Sequence, residues 1–244
     1  MTDSTIGIAL LPGIDGTGIF FEPLIHVLPE DIPLSVITYP PNSILSLEGH
    51  ARFVAEYLPT EDVIVVAESF SGLVGLELLH LRLPAIKGII FSAAFAEPLH
   101  RILIRGLSLI PWIESMVKGL PVPVLDHFLF GNFSNKDLAT LLERGLPKID
   151  AKCLKHRAEI IASGYPRLDE HFDIPCLYLK AVRDRLVPHT AASWFAAHFN
   201  HFACVEFDAP HCLLQTVPAE CAAEIMGFYN VLRDRNPSGI KNED

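Results

Sequence analysis

A serine at the junction of an apolar strand and a helix is the first feature of this sequence that could do chemistry. Ser69 follows the apolar, β-branched run 63–67 and precedes a leucine-rich stretch of helical pattern. Small residues flank it, with Ala67 two positions before and Ser71-Gly72 after. Such a turn is tight and strained, and it lifts the serine hydroxyl above the end of the strand. The pattern A-x-S-x-S-G departs from the strict G-x-S-x-G form but keeps its small residues, so we predict that Ser69 is a nucleophile.

Other roles for the nearby serines have to be weighed against this prediction. Ser69 could simply cap the helix that follows it, which is a common role of serine. Ser71 lies past the turn, where we expect its side chain to pack against the sheet. Ser92 also follows a strand, but no tight turn of small residues comes after it. Both are therefore weaker candidates than Ser69.

A serine hydroxyl is a weak nucleophile and needs a base within hydrogen-bond reach. His211 lies in the loop after the last predicted strand, and Asp184 follows the strand before that one. The carboxyl ends of parallel strands meet at one edge of a sheet, so we expect these two side chains and Ser69 on the same rim. The chain order Ser, Asp, His is typical of a nucleophile, an orienting acid and a general base on such a sheet.

Two other acidic residues are alternatives to Asp184. Asp208 is close to the strand end but stands only three positions before His211. Glu97 suits an arrangement in which the acid follows an earlier strand. Asp184 could instead pair with a neighbouring arginine, and His211 could be an ordinary exposed histidine among the eleven of this chain.

The loop after the first strand is rich in glycine, which lets a backbone approach a substrate closely. Residues 12–18 read Pro-Gly-Ile-Asp-Gly-Thr-Gly. We predict that the N–H groups of Ile14 and Phe70 form an oxyanion hole beside Ser69. The loop matches neither the P-loop spacing nor G-x-G-x-x-G, so a phosphate or dinucleotide site is not indicated.

The elements that must position these residues alternate between strand and helix. Alternation of this kind predicts a parallel sheet with helices on both faces, an α/β fold. The predicted strands are 6–11, 34–39, 63–67, 87–93, 175–181 and 202–207. The predicted helices are 20–28, 47–58, 73–82, 190–200 and a final helix from about 216 to 232.

The pattern changes between residues 97 and 166, where helical stretches are broken by proline and glycine and no strand is indicated. We predict a helical cap inserted into a core formed by residues 1–96 and 167–244. The stretch 99–117 is rich in leucine and isoleucine and could roof the site with an apolar wall or touch lipid surfaces. For the substrate pocket, we expect contributions from Asp15, Phe95, Glu97 and Trp112.

With these motifs in place, the chain resembles the α/β-hydrolase superfamily from Ile6 to about Leu232. Pro12-Gly13 replaces the common His-Gly opening of the oxyanion loop, and the loop is similar to that of plant plastid phytyl ester synthases. Their elbow is similar to Glu68-Ser69-Phe70. The resemblance implies a hydrolase or acyltransferase that acts on lipid-like esters. The large acyltransferase region of those plant proteins has no counterpart here, which favours hydrolysis.

Composition narrows the expected partners and location. The formal net charge is −10, which disfavours binding to nucleic acid. The first residues lack the basic region of a signal peptide, and no apolar run reaches the ~20 residues needed to span a bilayer, so we expect a cytoplasmic protein. Five cysteines without a C-x-x-C pair indicate reduced thiols and no metal site.

The function predicted from the sequence is cleavage of a small-molecule carboxylic ester, or a thioester, through an acyl-enzyme and without a cofactor or metal. The alternatives are acyl transfer to an alcohol or thiol and a ligand-binding protein without turnover. A chain built on an aspartate nucleophile, as in dehalogenase or epoxide hydrolase chemistry, is disfavoured by the serine at position 69. The oligomeric state cannot be inferred from the sequence.

Overall fold

A parallel sheet is the centre of the protein, whose structure, a computed structural model, describes residues 6–99 and 122–235. Its six strands are arranged in the order β2-β1-β3-β4-β5-β6, and every neighbouring pair is parallel. The strands are β1 (Gly7–Leu11), β2 (Leu34–Val36), β3 (Val63–Glu68), β4 (Ile86–Ser92), β5 (Phe172–Ala181) and β6 (Phe199–Phe207). Because all six run the same way, the loops that leave their carboxyl ends share one edge.

The register of the strands brings the predicted site segments to that edge together. Leu11 at the end of β1 lies opposite Ala67 of β3, so the glycine-rich loop begins beside the serine turn. Ala181 at the end of β5 lies opposite Phe207 at the end of β6. The segments that carry the predicted acid and base therefore leave the sheet at the same level.

Helices cover both faces of the sheet because its strands present apolar side chains on each face. Along β3, Val63, Val65 and Ala67 belong to one core cluster, while Ile64 and Val66 belong to the other. This period of two is what a strand buried on both faces requires. The helices are α1 (Glu22–Ile25), α2 (Leu47–Tyr57), α3 (Ser71–His80), α4 (Val122–Leu129), α5 (Lys136–Gly145), α6 (Ala151–Ser163), α7 (Ala191–His198), α8 (Leu213–Thr216) and α9 (Pro218–Arg235).

The predicted fold class is confirmed, and the boundaries of several elements differ from the prediction. Strand β2 ends at Val36 rather than at 39, and β5 and β6 each begin three residues earlier than predicted, so that β6 starts inside the predicted helix 190–200. The predicted helix 20–28 is a short 3₁₀ turn, Ile19–Phe21, followed by the four-residue α1. The predicted final helix is divided, with the short α8 before α9. Pro218 lacks the N–H that would continue a helix from α8, which accounts for the division.

The described part of the predicted cap is helical. Helices α4, α5 and α6 lie between β4 and β5 in the chain. Of the apolar stretch 99–117, only Leu99 is within the described residues, where it is buried. In the ranges 6–99 and 122–235, no helix combines the length and hydrophobicity that crossing a bilayer demands.

Candidate active site

The turn that carries Ser69 is strained in the way the sequence predicts. Ser69 has φ +52°, a left-handed conformation that non-glycine residues adopt at a cost and retain only where the surrounding structure holds them. Its N–H donates a hydrogen bond to the carbonyl of Ser92 at 2.9 Å. This bond ties the turn to the end of β4. The serine is therefore fixed above the sheet edge between β3 and α3.

Close packing around the turn explains its small residues. A Cβ at Gly72 would lie 2.5 Å from the Cβ of Ala94, so only glycine fits where α3 crosses the end of β4. Ser71 takes the place of the glycine of the strict motif, and its buried hydroxyl donates to the carbonyl of Pro12 and contacts the hydroxyl of Tyr39. Ser71 thus holds the glycine-rich loop, a role different from the sheet packing expected of it.

Three predicted side chains form one hydrogen-bonded chain. The Nε2 atom of His211 lies 2.9 Å from the hydroxyl of Ser69, and its Nδ1 atom lies 2.8 Å from Oδ2 of Asp184. The other carboxylate oxygen of Asp184 accepts the N–H groups of Leu186 at 2.7 Å and Val187 at 2.9 Å. These two bonds fix the carboxylate, which in turn fixes the plane of the imidazole.

Neither of the two alternative acids takes the place of Asp184 beside His211. Asp208 is exposed and forms a two-point ion pair with Arg183, with one contact of 2.7 Å. Glu97 is exposed at the surface. The arginines next to Asp184 bind other groups. Arg183 pairs with Asp208, and Arg185 donates to the carbonyl of His127 at 3.1 Å.

The electrostatic surroundings favour a charged form of the imidazole. Burial lowers the pKa of His211, but the charge and hydrogen bond of Asp184 outweigh burial, and the carboxyl of Glu68 acts in the same direction. The pKa of His211 is therefore raised above its ordinary value of 6.5. These surroundings stabilise a proton on the His211 ring.

The glycine-rich loop lies against Ser69. A Cβ at Gly13 would stand 3.8 Å from the Cβ of Ser69, so the loop backbone passes directly beside the hydroxyl. Gly16 and Gly18 have φ of +72° and +70°, which explains two of the glycines. The side chain of Asp15 accepts the N–H and hydroxyl of Thr17, each at 2.7 Å, and closes the turn.

An apolar cavity of about 190 Å³ opens at Ser69. One end is polar and contains Ser69, His211, Asp15 and Glu68. The rest is lined almost entirely by apolar side chains from the 3₁₀ turn, from helices α4 to α6 and from their connections: Phe20, Leu125, Leu129, Phe130, Leu142, Leu146, Ile149 and Leu154. A cavity with one polar end suits a ligand with an apolar chain and a single polar group.

Of the other residues predicted for the oxyanion hole and the pocket, some line the cavity and others do not. Ile14 and Asp15 line the cavity. Phe95 is 1% exposed and packs in the core cluster that contains α2 and α3, so it lies beneath the site rather than along the cavity. Glu97 is exposed and is not part of the cavity lining. Trp112 lies outside the described residues.

Sequence reasoning missed a buried carboxyl beside the predicted nucleophile. Glu68 is 6% exposed, lines the cavity and accepts a hydrogen bond of 3.0 Å from the side chain of Gln215. Burial raises its pKa to about 7, although the bond from Gln215 opposes the shift. Its position directly before Ser69 could have drawn attention to it. The remaining cavity residues carry no motif and depend on how the cap helices pack.

Solved structures of similar fold include esterases and an enol-lactonase. No family model matches the chain, and no curated protein matches it in sequence. Among solved structures, an esterase from Thermogutta terrifontis is 15% identical, with a TM-score of 0.76 over 93% of this chain and 90% of that one. An esterase from Exiguobacterium antarcticum and an enol-lactonase from Burkholderia xenovorans are each 12% identical, with TM-scores of 0.78 over 93% of this chain and 92% of theirs. The chain therefore has the α/β-hydrolase fold.

Proposed function

We propose that this protein is a serine hydrolase that cleaves carboxylic esters with an apolar acyl group. The observation that carries the proposal is the continuous chain of hydrogen bonds from Asp184 through His211 to Ser69. A serine held at a strained turn, a buried imidazole and a fixed carboxylate are the parts that acyl transfer to serine requires. The esterases among the structures of the same fold are consistent with this activity.

In the proposed reaction, the oxygen of Ser69 attacks the ester carbonyl while Nε2 of His211 takes its proton. Asp184 keeps the proton of Nδ1 on the far side of the ring and stabilises the imidazolium. The carbonyl oxygen becomes an oxyanion, which the N–H groups of Ile14 and Phe70 bind. His211 then returns its proton to the leaving alcohol as the carbon–oxygen bond breaks. Water attacks the acyl-enzyme by the same route, with His211 again as base.

The lining of the cavity indicates the class of acyl group. Nine apolar side chains, with Ile14 among them, surround the space next to Ser69, and the two carboxyl groups at the polar end come from Asp15 and Glu68. No lysine or arginine is among the described residues that line the cavity. A carboxylate on the substrate would have no lysine or arginine partner there and would lie near acidic groups. We therefore propose neutral, apolar acyl groups, as an ester or a thioester.

The experiment that tests the function is hydrolysis of a series of p-nitrophenyl esters from acetyl to dodecanoyl. Wild-type protein should hydrolyse at least one of them, and Ser69→Ala should abolish turnover with an unchanged circular dichroism spectrum. Ser193→Ala is the matched control because Ser193 is an exposed residue of α7. Turnover retained by Ser69→Ala would show that the activity belongs to another group.

The same assay separates hydrolysis from the two alternatives. With a long-chain alcohol added, an acyltransferase would form a new ester at the expense of free acid. A binding protein without turnover would release no p-nitrophenol from any ester in the series. Free acid as the main product in both conditions is the expected result for a hydrolase.

A further inference from the structure

A buried arginine from the cap contacts the glycine-rich loop from behind. Arg157 belongs to α6 and is 4% exposed. Its Nη1 atom donates to the carbonyls of Ile14 and Asp15, each at 3.0 Å. Its guanidinium carbon lies 5.2 Å from the centre of the Tyr39 ring. A buried guanidinium stays charged, so these bonds to neutral carbonyls are charge-assisted.

The loop is shaped around this side chain. A Cβ at Gly16 would lie 2.3 Å from Nη1 of Arg157 and 2.6 Å from its guanidinium carbon. The guanidinium therefore fills the space that any side chain at position 16 would need. Glycine at this position serves the contact as well as the positive φ of the turn.

The two bonds from Arg157 belong to a series of hydrogen bonds that holds the carbonyls of the loop. All five consecutive carbonyls of residues 12–16 accept a hydrogen bond. Ser71 binds the carbonyl of residue 12, and the N–H of Gly16 binds that of residue 13 at 3.1 Å. Arg157 binds the next two, and the N–H of Tyr39 binds the last at 2.9 Å. Every carbonyl of residues 12–16 is therefore held by a hydrogen bond, and Arg157 supplies two of these five bonds.

Fixing these carbonyls also fixes the direction of the N–H groups. In a trans peptide the C=O and N–H of one unit point to opposite sides, and no cis bond occurs in the described residues. The carbonyl of Gly13 points into the turn, so the N–H of Ile14, which shares its peptide plane, points away from the turn. Arg157 holds the following plane through the carbonyl of Ile14, which limits rotation about that residue.

We infer that Arg157 is a positioning residue that holds the oxyanion loop in its catalytic geometry and thereby makes the activity of the core depend on a helix of the cap. The inference rests on the proposed function, because the loop matters only if an oxyanion forms there. Its effect falls on the transition state, since the ester substrate can occupy the apolar cavity without a correctly aimed Ile14 N–H.

The test compares Arg157→Met and Arg157→Lys with the control Lys152→Met, which alters an exposed cation of the same helix. Steady-state hydrolysis of p-nitrophenyl butyrate is measured for each, and the amount of reactive Ser69 is counted by end-point titration with a fluorophosphonate. For Arg157→Met we expect kcat per titrated site to fall by about tenfold to a hundredfold, less than the loss typical of removing an oxyanion donor. KM should change by less than about twofold. Lysine should restore part of kcat because it can donate to one of the two carbonyls.

A purely structural role for Arg157 predicts a different result. It would lower the melting temperature and the fraction of titratable sites but leave kcat per titrated site equal to that of wild type, which would overturn the inference. If Arg157→Met does not fold, Arg157→Lys decides by the same criterion. If wild-type protein neither hydrolyses esters nor reacts with the probe, the proposed function itself has failed; active wild type with unaltered Arg157 variants refutes this inference alone.

Discussion

Replacing Asp184 by asparagine tests the orientation of the imidazole with a change of one atom. Oδ1 of Asp184 accepts two backbone N–H groups, and Oδ2 accepts the N–H of His211. Asparagine has one oxygen to offer. If that oxygen stays with the two backbone N–H groups, the amide NH₂ faces Nδ1 of His211. The ring must then present Nδ1 as acceptor and carry its proton on Nε2, the atom that has to receive the proton of Ser69.

The size of the loss follows from the cost of the opposite orientation. Turning the asparagine so that its oxygen faces His211 would place the NH₂ against two backbone N–H groups. Each buried donor left without an acceptor costs about 1–3 kcal/mol, so the flipped form lies at least about 2 kcal/mol higher and is populated at most about one time in thirty. The rate should therefore fall at least about thirtyfold, and up to about 10⁴-fold as in triads of this kind.

The assay is kcat/KM for a short-chain p-nitrophenyl ester at constant pH. Asp208→Asn is the matched control, because Asp208 was the nearest alternative acid and forms an exposed ion pair with Arg183. We expect that variant to stay within about twofold of wild type. A loss below about tenfold in Asp184→Asn, or a larger loss in Asp208→Asn, would refute the assignment of the acid.

Three further predictions concern the buried acid, the base and the cavity. Burial raises the pKa of Glu68 from 4.5 to about 7 despite the bond from Gln215, so the stability contributed by its neutral form is complete below pH 4.5 and lost as pH rises through about 7. Between pH 4.5 and about pH 8, the free energy of unfolding in urea should fall by up to about 3 kcal/mol more for wild type than for Glu68→Gln. If the unfolding free energies of the two proteins change in parallel with pH, the burial argument is contradicted. Burial lowers the pKa of His211, but Asp184 and Glu68 raise it above 6.5 overall. Because only the neutral imidazole accepts the proton of Ser69, kcat/KM should fall on acidification with a midpoint above pH 6.5. A midpoint at or below that value speaks against the raised pKa. Ile149→Trp fills part of the cavity and should lower kcat/KM for the octanoyl ester about tenfold or more relative to the acetyl ester, whereas an equal loss for both would place the acyl chain elsewhere.

The fold and the segments around Ser69, Asp184 and His211 could be predicted because local chemistry constrains them. Strands buried on both faces are continuous apolar runs, and the nucleophile turn demands small residues within two positions of the serine. Chain order then places the acid and base at particular strand ends. The structure brings these three side chains together, while their catalytic roles remain predictions.

The parts that were not predicted depend on contacts between distant segments. Arg157 meets the carbonyl of Ile14 across 143 positions of sequence, and nothing in the pattern of α6 distinguishes it from a surface arginine. Much of the cavity lining comes from helices α4 to α6, whose packing on the core cannot be inferred from periodicity alone. Phe95 is one of the residues that the sequence suggests for the pocket, but it is buried in the core cluster with α2 and α3 and does not line the cavity.

Covalent labelling tests most directly whether Ser69 is a nucleophile that His211 activates. Wild-type protein is incubated with a fluorophosphonate, digested and analysed by mass spectrometry, alongside Ser69→Ala and Ser193→Ala. We predict one adduct, on the peptide that contains Ser69, in wild type and Ser193→Ala and none in Ser69→Ala. Failure of wild type to react, or an adduct on another residue that persists in Ser69→Ala, would contradict the account.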